Sequence, residues 1–293
     1  LALRGWWEEN RGTKGGSIGS FDSERETMPA DLGRILADLA DETRALDDRL
    51  ADLGPTQWKL PTPAPGWSVG DQVSHLSYFD DAAVQAATDP EAFRNEADRL
   101  MAQGGDFAAD VALRFRGRSG PELLDWFRSA RGRLLAAFAA LDGAARLPWY
   151  GPAMSVASAL TARLMETWAH GQDVADALGV DYPVTMRLHH IAHLGVQTFG
   201  FAFQLHGLGV PAGPLRVELC APDGTEWSWG DPHAAERVSG TALDFCLVVT
   251  QRRHPADTDL QTTGPLGARW LQLAQAFAGP PGGRRVAVGR AQS

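Results

Sequence analysis

Cysteine is nearly absent from this chain: Cys220 and Cys246 are the only two in 293 residues. Each sits in an apolar run, so the sequence predicts two buried free thiols rather than a disulfide or a metal-binding pair. A reducing cytoplasm suits that usage. No run of about 18 apolar residues occurs, which speaks against a membrane-spanning helix. Residues 1–27 mix acidic and basic side chains without an apolar centre, unlike a secretory signal. Gly-rich, charged and aperiodic until Met28, they read as a disordered or non-native extension. Positive charge is also scarce. Lys and Arg number 27 against 36 Asp and Glu, and a net charge of −9 argues against a nucleic-acid partner. No Gly-rich phosphate loop, nucleophile elbow or Cys–His constellation is present, which sets aside nucleotide hydrolysis and serine-hydrolase chemistry.

What the chain does have is apolar periodicity. A hydrophobic content of 44% and a charged content of 22% are those of a globular protein able to bury a core. Leu32, Ile35, Leu36, Leu39, Leu46, Leu50 and Leu53 recur at helical spacing and predict a helix over 31–53, closed by Gly54-Pro55. After a Pro-rich connection (Pro61, Pro63, Pro65), Ser68 reads as an N-cap with Asp71 as a weak capping box, opening a helix to about 87. Residues 90–117 read as shorter helical pieces broken at Gly104-Gly105. Ser119, Pro121 and Glu122 mark a further start, and Ser155 opens a helix to Leu178 with Gly179 as its C-cap. Another helix follows at 186–208. The pattern then changes to strands at 215–219 and 226–229 around an Asp223-Gly224 turn, an apolar helix at 242–250, a strand at 260–263 and a last helix at 266–278. The expected class is α+β: an N-terminal antiparallel four-helix bundle over 28–183, a connecting helix and smaller α+β domain over 184–278, and a loose tail over 279–293. The boundary falls near 183 or near 211.

Two distant segments carry chemistry. In Glu166-Thr167-Trp168-Ala169-His170-Gly171-Gln172-Asp173 a carboxylate and an imidazole stand four residues apart, one above the other on a helical face. A separate helix supplies His75. Two His and one Glu form a familiar catalytic zinc set that leaves a coordination position open. Taken alone, Glu-x-x-x-His is a weak signal, and a lone helical His is more often structural. The neighbourhood strengthens the reading: Leu160, Leu164, Trp168 and Val174 surround the pair, and Val73 and Leu76 flank His75. A carboxylate buried beside two imidazoles is costly unless it is paired or holds a cation. Asp71 and Asp173 could orient a ligand's second N–H, although Asp71 also reads as helix-start chemistry. His189, His190 and His193 form a rival cluster without a carboxylate or Cys at ligand spacing, and packing is its plainer role. Trp67 and Trp168 flank the ligands, as core or as stacking surfaces.

The segment Pro65-Gly66-Trp67-Ser68-Val69-Gly70-Asp71-Gln72-Val73-Ser74-His75-Leu76 resembles the start of the second helix in DinB/YfiT-like bundles, most closely the mycothiol-dependent maleylpyruvate isomerase branch. That resemblance implies zinc, or another divalent metal, on His75, Glu166 and His170. Val238-Ser239-Gly240-Thr241-Ala242-Leu243-Asp244 through Arg252, then Thr263-Gly264, is similar to the branch's C-terminal domain, of sterol-carrier-like shape. The overall spacing is nearer to a subgroup of unassigned substrate than to the isomerase itself. The implied activity is metal-dependent use of mycothiol or a similar thiol, in transfer to or isomerisation of a small molecule. Arg252, Arg253 and Arg269 are candidates for a substrate or cosubstrate carboxylate, with a solvated helix end as their plainer role. Metal-assisted hydrolysis and non-catalytic binding of a metal or small ligand are the rival functions. No nucleic-acid or membrane partner is expected, and the state is monomer or homodimer.

Overall fold

The computed structural model describes residues 31–102, 107–279, 281–282 and 285–289. The proposed N-terminal extension and the Gly104-Gly105 break lie outside them. The expected α+β class holds: the molecule is helix-rich with two small sheets. It divides into two compact units, one ending at Pro183 and the other starting at Val184.

In the first unit, α1 (Leu32–Leu50) begins at Asp31, whose carboxylate accepts the Arg34 N–H at 3.1 Å. The Ser68–Asp71 capping box is complete: the Ser68 hydroxyl accepts the Asp71 N–H and the Asp71 carboxylate accepts the Ser68 N–H. Two orphan donors are thereby satisfied at the head of α2 (Val69–Thr88). Two shorter helices follow, α3 (Pro90–Ala102) and α4 (Phe107–Leu113). A second full capping box, Ser119 with Glu122, starts α5 (Gly120–Ala139). A two-stranded ribbon of β1 (Arg146–Leu147) and β2 (Met154–Ser155) leads into α6 (Val156–Leu178). Gly179 ends α6 at φ 67°, a left-handed position that glycine takes without a Cβ penalty.

Helices α1 and α2 each pack against both α5 and α6. Leu39, Leu46, Leu76, Phe127, Leu134, Leu164 and Trp168 fill the space between them. A charged cluster sits within this apolar core. Asp80 of α2 is fully buried, and its carboxylate accepts from Arg131 Nε of α5 at 2.8 Å and Arg163 Nε of α6 at 2.9 Å. Arg131 also donates to Thr43 of α1 and, at 2.9 Å, to Thr167 of α6. All four long helices therefore meet at one ion cluster.

The second unit contains α7 (Leu188–Gln197), α8 (Phe199–Leu205), α9 (Ala242–Val249) and α10 (Pro265–Leu273). Its strands are β3 (Leu215–Cys220), β4 (Glu226–Trp229), β5 (Glu236–Thr241) and β6 (Gln261–Thr263), in the order β4-β3-β5-β6. β3 pairs antiparallel with β4 through the expected turn and parallel with β5. Gly195 lets α7 close on α9, since a Cβ there would lie 2.8 Å from Val249.

Three expectations change here. The helix over 186–208 is two helices, because the Thr198 hydroxyl donates to the carbonyls of Leu194 and Gly195 and the backbone leaves helical geometry there. The last helix stops at Leu273 rather than 278, and the Ala276 N–H instead donates to Val249 O at 2.8 Å. Of the two thiols only Cys246 is buried. Cys220 is exposed because Val217 and Leu219 occupy the inward face of β3 and strand alternation turns residue 220 outward.

Replacing Arg131 with Leu would leave Asp80 buried with one cation fewer. Removal of one partner of such a cluster costs about 3–5 kcal/mol. Urea denaturation of Arg131→Leu should show a loss of that order at unchanged m-value; a loss within error of zero would remove the cluster from the determinants of this fold.

Candidate metal centre

The long helices bring His75, Glu166 and His170 together. His75 ends the second turn of α2, and Glu166 and His170 lie one turn apart on α6. Glu166 Oε2 stands 3.1 Å from His170 Nε2 and 3.8 Å from His75 Nε2. Among the described residues, this is the one group of three or more His, Cys, Asp or Glu whose ligand atoms converge, all within 4.8 Å of one another. The two His side chains keep 10% and 8% of their surface and Glu166 keeps 22%, so the site opens on the carboxylate side.

Burial pushes the Glu166 carboxyl up, but hydrogen bonds and charge from His170 and His75 outweigh it and hold the group well below the usual carboxylate range. It is an anion at neutral pH. His75 Nδ1 is buried without a hydrogen-bond partner among the described residues. Such a nitrogen costs about 1–3 kcal/mol. Glu166 meets one imidazole at 3.1 Å and the other only at 3.8 Å, beyond hydrogen-bond reach, so the hydrogen-bond network of the three groups is incomplete. A divalent cation taking the two Nε2 atoms and one Glu166 oxygen would use all three donors where they converge, and that donor set suits zinc.

Aromatic rings enclose the imidazoles. Phe79 packs at 4.6 Å from the His75 ring, and Trp67 stacks on His170 at 5.9 Å with the planes 17° apart. Trp168 is a core residue, 1% exposed. Trp67 is the half-buried one, and it also borders a cleft of about 850 Å³ lined by Trp58, Asp71, Arg116, Arg118 and Glu122. None of the three candidate ligands lines that cleft.

Gln72 was not foreseen. Its side-chain oxygen accepts from His170 Nδ1, and its amide nitrogen donates to Thr62 Oγ1 at 2.8 Å. The available signal was its place three residues before His75, on the same helical face. Asp71 does not face an imidazole: its carboxylate closes the capping box and pairs with Arg116 at 2.8 Å. Asp173 is buried at 1%. In the second unit, His189 packs against Trp227 at 4.8 Å and Trp229 at 5.6 Å, the packing role anticipated for that cluster. Burial and the charge of His190 hold the His193 imidazole below its usual value. Arg252 and Arg253 are half-buried just after α9 and donate to the carbonyls of Thr250 and Arg252; Arg269 is exposed on α10.

Residues 39–175, which include all three converging side chains, match the family model of the mycothiol maleylpyruvate isomerase N-terminal domain. Residues 211–263 match one described as wyosine base formation. Uncharacterised proteins from two strains of Mycobacterium tuberculosis are 49% identical over 253 residues, 86% of this chain and 98% of theirs. The crystal structure of the mycothiol-dependent maleylpyruvate isomerase superposes with a TM-score of 0.52 at 16% identity, covering 79% of this chain and 92% of that one. A histidine-to-alanine mutant of that enzyme gives 0.54 at 15% identity with the same coverage. At such identity the likeness is one of fold.

Asp71 yields a pH-dependent test. Burial alone would raise its carboxyl, but hydrogen bonds from Arg116 and Ser68 and the charge of Arg116 hold it below 3.8. A depressed folded value contributes stability above the unfolded value, and that contribution fades as pH falls through the folded one. Asp71→Asn should therefore cost about 1 kcal/mol or more at neutral pH. Denaturation curves across pH should show the penalty shrinking below pH 3.8; a penalty constant down to the acid limb would contradict the assignment.

Proposed function

Because this chain belongs to the family defined by the mycothiol maleylpyruvate isomerase N-terminal domain, we propose that His75, Glu166 and His170 hold a divalent metal, zinc foremost, and that the protein uses mycothiol or a similar thiol to modify or isomerise a small molecule. The observation that carries this reading is the convergence of two imidazoles on one partly accessible carboxylate. Zinc bound there would stabilise the thiolate, the nucleophilic form of the cosubstrate, at neutral pH. The chain's own residues supply the rest. Glu166 contributes the negative charge that balances part of a dication. Trp67 and Phe79 wall off the imidazoles and keep water from two sides of the site. Arg252, Arg253 and Arg269 remain the candidates for a substrate or cosubstrate carboxylate, a group that guanidinium geometry matches.

In this reading α1, α2, α5 and α6 form a DinB-like four-helix bundle within 28–183. The residues over 184–278 form a connecting helical segment, α7 and α8, and a sterol-carrier-like domain. The partner is a small molecule, the compartment is the cytoplasm, and the protein is a monomer or homodimer. No helix among the described residues is long and apolar enough to cross a membrane.

Metal content tests the reading first. Elemental mass spectrometry should find about one equivalent of zinc, as a three-ligand open site holds one ion, and His170→Ala should lose it. No metal in the parent, even after zinc is supplied, would sink the proposal. With zinc retained, small-molecule turnover should require an added thiol; turnover that ignores the thiol would move the chemistry to metal-activated water.

A further inference from the structure

The hydrogen bonds behind His170 run in one direction. Trp67 O, on the loop before α2, accepts both the Thr62 N–H at 2.8 Å and the Thr62 hydroxyl at 2.9 Å. With its proton spent there, Thr62 Oγ1 has lone pairs left for the amide nitrogen of Gln72, which donates to it at 2.8 Å. The amide is thereby oriented with its oxygen toward α6. That oxygen is an acceptor only, so His170 Nδ1, which lies against it, must carry the hydrogen. All these partners are buried: Gln72 is 0% exposed, His170 7% and Thr62 9%. Water is not at hand to supply the alternatives.

We infer that Thr62 and Gln72 are positioning residues that lock His170 as the Nδ1–H tautomer and so present the Nε2 lone pair to the metal position before any ion arrives. Free histidine in water favours the opposite, Nε2–H form. An Nε2–H would also be the simplest donor to Glu166 Oε2, 3.1 Å away. In the neutral ring the relay denies the site that internal bond and sets a lone pair against a carboxylate oxygen. That arrangement is unfavourable by itself and is relieved by a proton or by a metal cation. The purpose of the relay rests on the proposed metal function, but the tautomer can be measured without it. Partners that hold a ligating His by its other nitrogen typically change metal affinity 10–100-fold when removed.

The test uses the full-length protein labelled with ¹⁵N at histidine, stripped of metal by a chelator and held at mildly alkaline pH. Long-range ¹H–¹⁵N correlation separates the two tautomers and the doubly protonated ring, and the His170→Gln spectrum identifies the His170 signals. The Nδ1–H pattern is expected, shifting toward Nε2–H in Gln72→Leu and in the near-isosteric Thr62→Val. The latter keeps the loop's shape and serves if the former fails to fold. An Nε2–H His170 in the parent overturns the inference, because the amide would then be turned the other way or bypassed; a doubly protonated ring overturns it too, because Nε2 would then hold a proton and present no lone pair. In chelator competition, zinc should bind about 10–100-fold more weakly to Gln72→Leu, with Gln72→Glu, which keeps an acceptor, restoring affinity. Equal affinity in parent and Gln72→Leu also overturns it. If the parent binds no zinc, the metal function falls while the tautomer pattern still decides the relay.

Discussion

The double clasp of Asp80 by Arg131 and Arg163 is the constraint on which the rest of the first unit depends. Two arginines and one aspartate leave a buried positive excess, and Glu42, 1% exposed and bonded to the Tyr182 hydroxyl at 2.8 Å, supplies a second buried anion. Such a cluster is a doubtful source of net stability, since desolvating four charges is expensive. What it offers is register. Asp80 lies five residues after His75 on α2, and Arg163 three before Glu166 on α6. Arg163 also donates to Leu76 O, the carbonyl next to His75. A slip of one helix by a single turn, about 5.4 Å, would break the clasp and separate the imidazoles from the carboxylate together. The converging triad is thus set from one side by charge and from the other by the Gln72–Thr62 hydrogen bonds.

The parts of this molecule legible in the sequence are those governed by neighbours in the chain. Ser68 with Asp71, Ser119 with Glu122, Ser155 and Gly179 announce helix ends because capping is local chemistry. The Glu166–His170 pair is visible for the same reason, as a spacing on one helix. What escaped depends on contacts made across the fold. Gln72 is one more polar residue until α6 brings a histidine against it. The early end of α10 follows from a carbonyl at the end of α9 that captures the chain, and the break at Thr198 from a hydroxyl competing for the helix's own carbonyls. Cys220 was misplaced by reading an apolar neighbourhood where strand alternation decides the face.

Likeness to the isomerase at a TM-score near one half and 16% identity shows how loosely the fold constrains side chains. The proposed function therefore rests on the few groups that face one another, and not on the scaffold. Here those groups are borne on two long helices rather than on loops. Their geometry is that of the helix packing and cannot drift independently of it.

The proline-rich loop ahead of α2 has a further consequence. Pro61 and Pro63 flank Thr62, these two and Pro65 precede Trp67, and Pro61 bridges to Ser68. Each proline at a compatible position trims the freedom of the unfolded chain by about 0.4–1 kcal/mol, so three together prepay roughly 1–3 kcal/mol of ordering. The indole over His170 is therefore carried on a stretch that loses little entropy by staying in place. If the proposed metal occupies the triad, ligands exchanging on it would not draw repeatedly on the cost of rebuilding this wall, and their rates of arrival and departure would be set at the open Glu166 side.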